Sequence, residues 1–186
     1  CWCGIMDTKS LENYLTHFGQ DVVNKAVANL QKEKGQTKLA QSIRFEVVTD
    51  EKGFTTKFFM ADYGTFLDKG VSGNKKEQSY TNYKGTAESS PYKYTTKGPP
   101  IDILSKWIKK KGIKPKGLGK GRSKNTGQYV SGFAYLISRK IKREGIKSLS
   151  FFQKPFGAGY NELKKETLKY IKMDIESYLT TFYRPK

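Results

Sequence analysis

The chain has 186 residues, 36% of them hydrophobic and 28% charged, with 35 Lys and Arg against 17 Asp and Glu for a formal net charge of +18. That length fits one domain with a sizeable insertion, or two very small ones. The apolar runs are too short for a membrane span or a signal-peptide core, and Cys1 and Cys3 are too close to staple a fold, which sets aside membrane-spanning and disulfide-framed classes and points to a reducing cytosol.

Met6 reads as the natural start, with residues 1–5 an upstream extension; a lipid-modified Cys1 is the lesser alternative. Residues 8–34 predict an amphipathic helix, because Leu11, Tyr14, Leu15, Phe18, Val22, Ala26 and Leu30 recur at steps of three and four. Thr8 or Ser10 can cap its start and Gly35 ends it. Residues 39–49 switch to period two, with Ile43, Phe45 and Val47 facing one way and Arg44 and Glu46 the other. Asp50 to Gly53 is a turn, and Phe54, Thr56, Phe58 and Met60 alternate again, so 39–62 predicts a β-hairpin.

Tyr63 to Gly70 (YGTFLDKG) is an aromatic-rich exit from that hairpin. Residues 71–98 are polar and carry Tyr80, Tyr83, Tyr92 and Tyr94 without a period, the pattern of a long functional loop. Pro99 and Pro100 open a short helix with Ile101, Leu104, Trp107 and Ile108 on its apolar face, Lys109, Lys110 and Lys111 at its end, and Gly112 after it. Residues 112–128 read as a flexible basic loop. A third helix is expected over about 130–144, a further strand over 146–152, and a break at Phe156-Gly157-Ala158-Gly159. The last helix, about 161–182, turns Leu163, Thr167, Leu168, Ile171, Ile175, Tyr178, Leu179 and Phe182 inward. The sum is α+β: a small antiparallel sheet with a β-hairpin packed by N- and C-terminal helices, and a long basic loop-helix insertion. It is taken as a single domain, core 8–70 and 130–182, insertion 71–129.

Little catalytic chemistry is legible, and no catalytic residue, metal ligand or cofactor is assigned. His17 is the lone histidine and sits beside the apolar stripe of the first helix, where a plain boundary residue is the better reading. Cys1-x-Cys3 lacks the other ligands of a zinc site. Gly112 to Gly117 has the glycine spacing of a P-loop, but Leu118 stands where lysine is required and a helix, not a strand, precedes it. Glu162-Leu163-Lys164 imitates a nuclease triplet but opens a helix, and Asp62 and Asp68 have no third acid nearby for a magnesium site.

Binding is the stronger signal. Between Lys106 and Lys147 fourteen Lys and Arg face one acid, Glu144, so 14 − 1 = 13 of the net charges fall in that stretch. Such a surplus favours a polyanionic neighbour. Lys109, Lys110, Lys111, Lys116, Lys120, Arg122 and Lys124 are the candidates for an electrostatic partner, acidic protein or DNA. Tyr80, Tyr83, Tyr92, Tyr94 and Trp107 are the candidates for protein contact, since aromatic side chains give contact area at low entropic cost.

The order of segments carries a resemblance. A helix, then Leu39, Ser42 and Ile43 at a strand entry, a hairpin, then Tyr63, Phe66 and Gly70 before a variable loop, resembles the neck, tail-completion and minor tail proteins of long-tailed bacteriophages over residues 8–70. The stretch PPIDILSKWIKKKG and the later REGI look like segments of such connector proteins. The resemblance implies a non-enzymatic structural virion protein, assembled in the host cytoplasm. It would be one subunit of a homo-oligomeric ring of six or twelve copies between the portal side of the capsid and the tail. Portal, adaptor or tail-tube proteins would be its neighbours, genomic DNA would pass its lumen with at most non-specific contact, and no membrane would be involved. The alternatives are a basic nucleic-acid-binding protein and, last, a nuclease.

Overall fold

The computed structural model describes residues 8–50, 53–113, 120–122 and 129–182, with the side chains of 120–122, 129–131, 181 and 182 left out of the description. In chain order the elements are α1 (Lys9–Lys34), α2 (Lys38–Ser42), β1 (Arg44–Asp50), β2 (Gly53–Phe59), α3 (Gly64–Lys69), β3 (Val71–Ser72), β4 (Ser79–Thr81) and β5 (Ala87–Ser89). They continue with α4 (Ile101–Lys110), β6 (Lys120–Arg122), β7 (Tyr129–Ser131), α5 (Gly132–Glu144), β8 (Gly145–Ile146) and α6 (Gln153–Phe182). The class is α+β, with a β-hairpin flanked by N- and C-terminal helices. The described residues fall into two compact units: those of 8–64 with Thr81–Thr86 and 150–182, and those of Thr65–Tyr80 with Ala87–Leu149.

In the first unit, α1 buries Leu15, Phe18, Val22, Val23, Ala26 and Leu30, the stripe its period predicts. It packs along α6 and against the hairpin. β1 and β2 pair antiparallel from Arg44↔Phe59 to Asp50↔Gly53, so a two-residue connection joins them; its residues, 51 and 52, lie outside the described ones. Residues 39–42 are not strand: Thr37 Oγ1 accepts the Ala40 N–H at 3.2 Å and caps the short α2 instead. The Ser42 hydroxyl then donates to the Leu39 carbonyl (2.8 Å) and accepts the Ala61 N–H (3.1 Å), tying the entry of the hairpin to its exit. Phe18, Phe58, Phe152 and Phe156 form an aromatic cluster with ring centroids 5.4 to 6.3 Å apart along its linked pairs.

The expected break at 156–159 is absent, because α6 starts at Gln153 and runs through it. Pro155 falls in the first turn, where its missing N–H leaves no bond unmade. Gly157 is there for space: a Cβ on it would stand 2.1 Å from the Tyr83 carbonyl oxygen. The inward face of α6 is also corrected. Leu163, Thr167, Ile171 and Tyr178 are at least half-buried and Asp174 is buried among them, whereas Leu168, Ile175 and Leu179 are exposed. Phe182 has no described side chain.

Asp174 also settles how α1 begins. Thr8 occupies the cap position without a side-chain bond. The first-turn N–H groups of Ser10 and Leu11 donate instead to Asp174 Oδ1 and Oδ2, both at 3.0 Å, from 164 and 163 residues away. A carboxylate placed on these donors does the work of an N-cap and meets the positive end of the helix dipole.

The second unit is stitched by short pairings. β3 pairs antiparallel with β8 (Val71↔Ile146, Ser72↔Gly145) and β6 antiparallel with β7 (Lys120↔Ser131 to Arg122↔Tyr129), and β4 is hydrogen-bonded to β5. The polar stretch 71–98 is therefore less loop-like than its composition suggests, and β6 and β7 replace part of the expected basic loop. The aromatic-rich exit Tyr63–Gly70, given no conformation by its sequence, is largely helix (α3), Val130 lies in β7 rather than in α5, and the strand expected over 146–152 shrinks to β8. Gly70 has φ +72, and a Cβ there would meet the Ile146 carbonyl oxygen and the Ser148 nitrogen at 2.8 Å. α4 closes as its sequence predicts. Gly112 takes φ +66, its N–H bonds the Lys109 carbonyl (3.1 Å), and the Ile113 N–H bonds the Ile108 carbonyl (3.1 Å), the two bonds of a Schellman motif.

Candidate functional site

The tyrosines singled out by sequence divide between the units. Tyr83, in the first, is partly exposed; its ring stands edge-on to Phe156 (5.9 Å) and Tyr160 (6.0 Å), with Lys84 Nζ 5.7 Å over it. Tyr80, in the second, is buried. Its hydroxyl donates to Glu88 Oε2 at 2.7 Å, and Lys69 Nζ lies 5.7 Å above the ring. The bond to the Glu88 carboxylate, with burial second, raises its phenol above the ordinary value. Tyr80 is thus a packing residue, a correction to its expected role in protein contact.

Tyr92 is half-buried, edge-on to Phe66 at 4.5 Å. Tyr94 is also half-buried, and burial raises its phenol. The segment carrying both is fixed by backbone bonds from Ser72 N–H to the Tyr92 carbonyl (2.7 Å) and from Tyr94 N–H to the Ser72 carbonyl (2.8 Å). Trp107 presents an exposed face on α4.

Of the basic candidates, Lys109, Lys110 and Lys111 are exposed at the end of α4. Lys116 and Lys124 lie outside the described residues. Lys120 and Arg122 lie in β6, where only the backbone is described.

One basic surface among the described residues was passed over in the sequence reading. A half-open groove of about 880 Å³ runs along α5 in the second unit. Lys75, Arg139, Lys140, Lys142 and Arg143 line it, with Ile101, Tyr135 and Leu136 as its apolar and aromatic portion and no carboxylate among the described lining residues. The α5 members recur at three- and four-residue steps, so Tyr135, Arg139 and Arg143 stack on one face over about 12 Å of helix. Two of the cations are also held locally: Lys142 Nζ donates to the Thr96 carbonyl at 2.6 Å, and Arg143 pairs with Glu144 at 2.7 Å. That pairing holds the Glu144 carboxyl below its ordinary value. The Arg139 guanidinium stands 5.7 Å from the Tyr135 ring centroid. The Ser138 hydroxyl donates to the Pro99 carbonyl at 2.7 Å, securing α5 to the segment that opens α4. The sequence signal was the run Ser138-Arg139-Lys140-Ile141-Lys142-Arg143, which reads as a solvated helix face until Lys75 joins it across the chain.

The first unit has a surface of different character. Leu168, Ile175 and Leu179 are 74%, 42% and 48% exposed on α6. Steps of seven and four place them on one line of the helix. Lys172 and Glu176 lie alongside, joined at 3.6 Å.

Among the described residues no three His, Cys, Asp or Glu side chains converge on a possible metal position. In the nuclease-like triplet, Lys164 lies over the Tyr160 ring at 4.5 Å and Glu162 is exposed on α6. His17 is exposed on α1. No helix among the described residues is long and apolar enough to cross a membrane. The chain matches no family model, no curated protein and no solved structure.

Proposed function

We propose that the chain is a non-enzymatic structural subunit of the neck or tail-completion ring of a tailed bacteriophage particle. The observation that carries the assembly reading is the α6 line of Leu168, Ile175 and Leu179. Apolar side chains aligned and left in water on a well-packed helix mark a surface awaiting a partner. A ring supplies one, since head-to-tail contacts that close by rotation cover one such face on every copy.

The kind of assembly follows from the resemblance of residues 8–70, and the physical roles of the matching residues support it. Leu39 and Ile43 are core, Ser42 ties the two ends of the hairpin, Gly70 permits a turn that no side chain fits, and Phe66 packs on Tyr92. Portal, adaptor or tail-tube proteins are the expected neighbours above and below the ring.

Sedimentation of the purified chain tests the α6 contact. The wild-type chain is expected to form closed oligomers as concentration rises, and Leu168→Asp with Leu179→Asp to stay monomeric with unchanged far-UV circular dichroism. Identical sedimentation of the two would remove α6 as the ring contact.

A further inference from the structure

We infer that the groove along α5 binds the phosphate backbone of duplex DNA without reading its sequence. Its lining puts Lys75, Arg139, Lys140, Lys142 and Arg143 around one concavity with no carboxylate among the described lining residues, the nearby Glu144 being paired with Arg143. Cations so close together repel one another in the free chain, and an anion on the groove removes that repulsion. Two of the five are guanidinium groups, whose fork of donors matches phosphate oxygens.

The geometry favours a repeating anion over a single small one. The cationic stretch of α5, Arg139 to Arg143, extends over about 6 Å, and one DNA strand advances about 3.4 Å along the axis per phosphate, so about two phosphates fall within its span, with Lys75 across the groove for a third. In the sequence the surplus is wider than the groove: the stretch from Lys106 to Lys147 holds 13 of the 18 net charges. A net charge of this size favours a long polyanion over a short acidic peptide. Contacts from such a lining to phosphate oxygens carry no sequence information, and the groove is assigned to the backbone rather than to base edges.

This inference does not rest on the neck reading, because it is measured on the isolated chain. The probe is a fluorescently labelled 30-base-pair duplex in two unrelated sequences, followed by anisotropy across a salt series. Both duplexes are expected to bind equally, with affinity falling steeply as salt rises. The variant Lys75→Gln, Arg139→Gln, Lys140→Gln spares Lys142 and Arg143, which hold the Thr96 carbonyl and Glu144. Removing three phosphate contacts should make the slope of log K against log salt shallower by about 2.7 and weaken binding near 0.1 M salt by about two orders of magnitude. Unchanged far-UV circular dichroism separates that loss from unfolding. An unaltered slope in this variant, or loss of binding only in Lys109→Gln, Lys110→Gln, Lys111→Gln, would overturn the assignment. So would binding to poly-glutamate with none to either duplex, which would make the groove a dock for acidic protein.

Discussion

Replacing Asp174 tests the most unexpected tie in the first unit. Its two carboxylate oxygens accept the N–H groups of Ser10 and Leu11 at 3.0 Å each, while Thr8 contributes no cap bond. An N-cap is worth about 1 kcal/mol, and bonds to a charged partner run to about 1.5–3 kcal/mol when their loss strands buried donors. With Asp174 only 3% exposed, Asp174→Ala should cost about 2–3 kcal/mol. Asp174→Asn keeps one acceptor and should cost about half as much. Burial acts to raise the Asp174 carboxyl, but the bonds from Ser10 and Leu11 outweigh it and hold the group below the ordinary aspartate value. A depressed carboxyl contributes stability in full above its unfolded pKa, near 3.9, and loses it as pH falls through the folded value. The gap between wild type and Asp174→Asn should therefore be widest at neutral pH and close below about pH 4. Urea unfolding followed by far-UV circular dichroism gives the gap, and amide exchange at Ser10 and Leu11 localises it. A cost under about 0.5 kcal/mol for Asp174→Ala, with those amides exchanging as before, would refute the cap.

Gly157→Ala would ordinarily stabilise a helix by about 0.5–1 kcal/mol; here the added Cβ would meet the Tyr83 carbonyl, so chemical denaturation should show a loss of more than about 1 kcal/mol. Tyr80→Phe removes the bond to Glu88 while keeping the ring, and should cost about 1 kcal/mol with faster amide exchange in β4 and β5. Ser150, with φ +46, is held in the left-handed region and its Oγ accepts the Thr81 N–H at 3.1 Å. Ser150→Ala keeps the strain and loses the bond, so it should destabilise by about 1 kcal/mol in the same denaturation assay.

The first unit was legible wherever one period governed a long segment. α1 and the hairpin follow directly from their three-four and two-residue patterns, and Gly35 and Gly112 end helices as their conformational freedom allows. Misreadings came where a residue served two purposes. Gly157 and Gly159 looked like a break because their flexibility was weighed without the space they leave for the Tyr83 backbone and Phe18. Leu168, Ile175 and Leu179 looked like core because an apolar period does not say which of its positions are covered. The role of Asp174 had no local signal, since the helix end it caps is 163 and 164 residues away in sequence. α2 and α3 are too short to show a helical period. The charge surplus was plain from composition, but the groove was not: Lys75 stands more than sixty residues from Arg139, and β3–β8 pairing is what anchors its loop beside the end of α5.

Counting copies in purified particles of the source virus tests the central claim most directly. Quantitative mass spectrometry of the chain against the portal should give a fixed ratio corresponding to six or twelve copies per particle. Absence from particles, with the chain abundant in infected cells, would contradict a neck or tail-completion role.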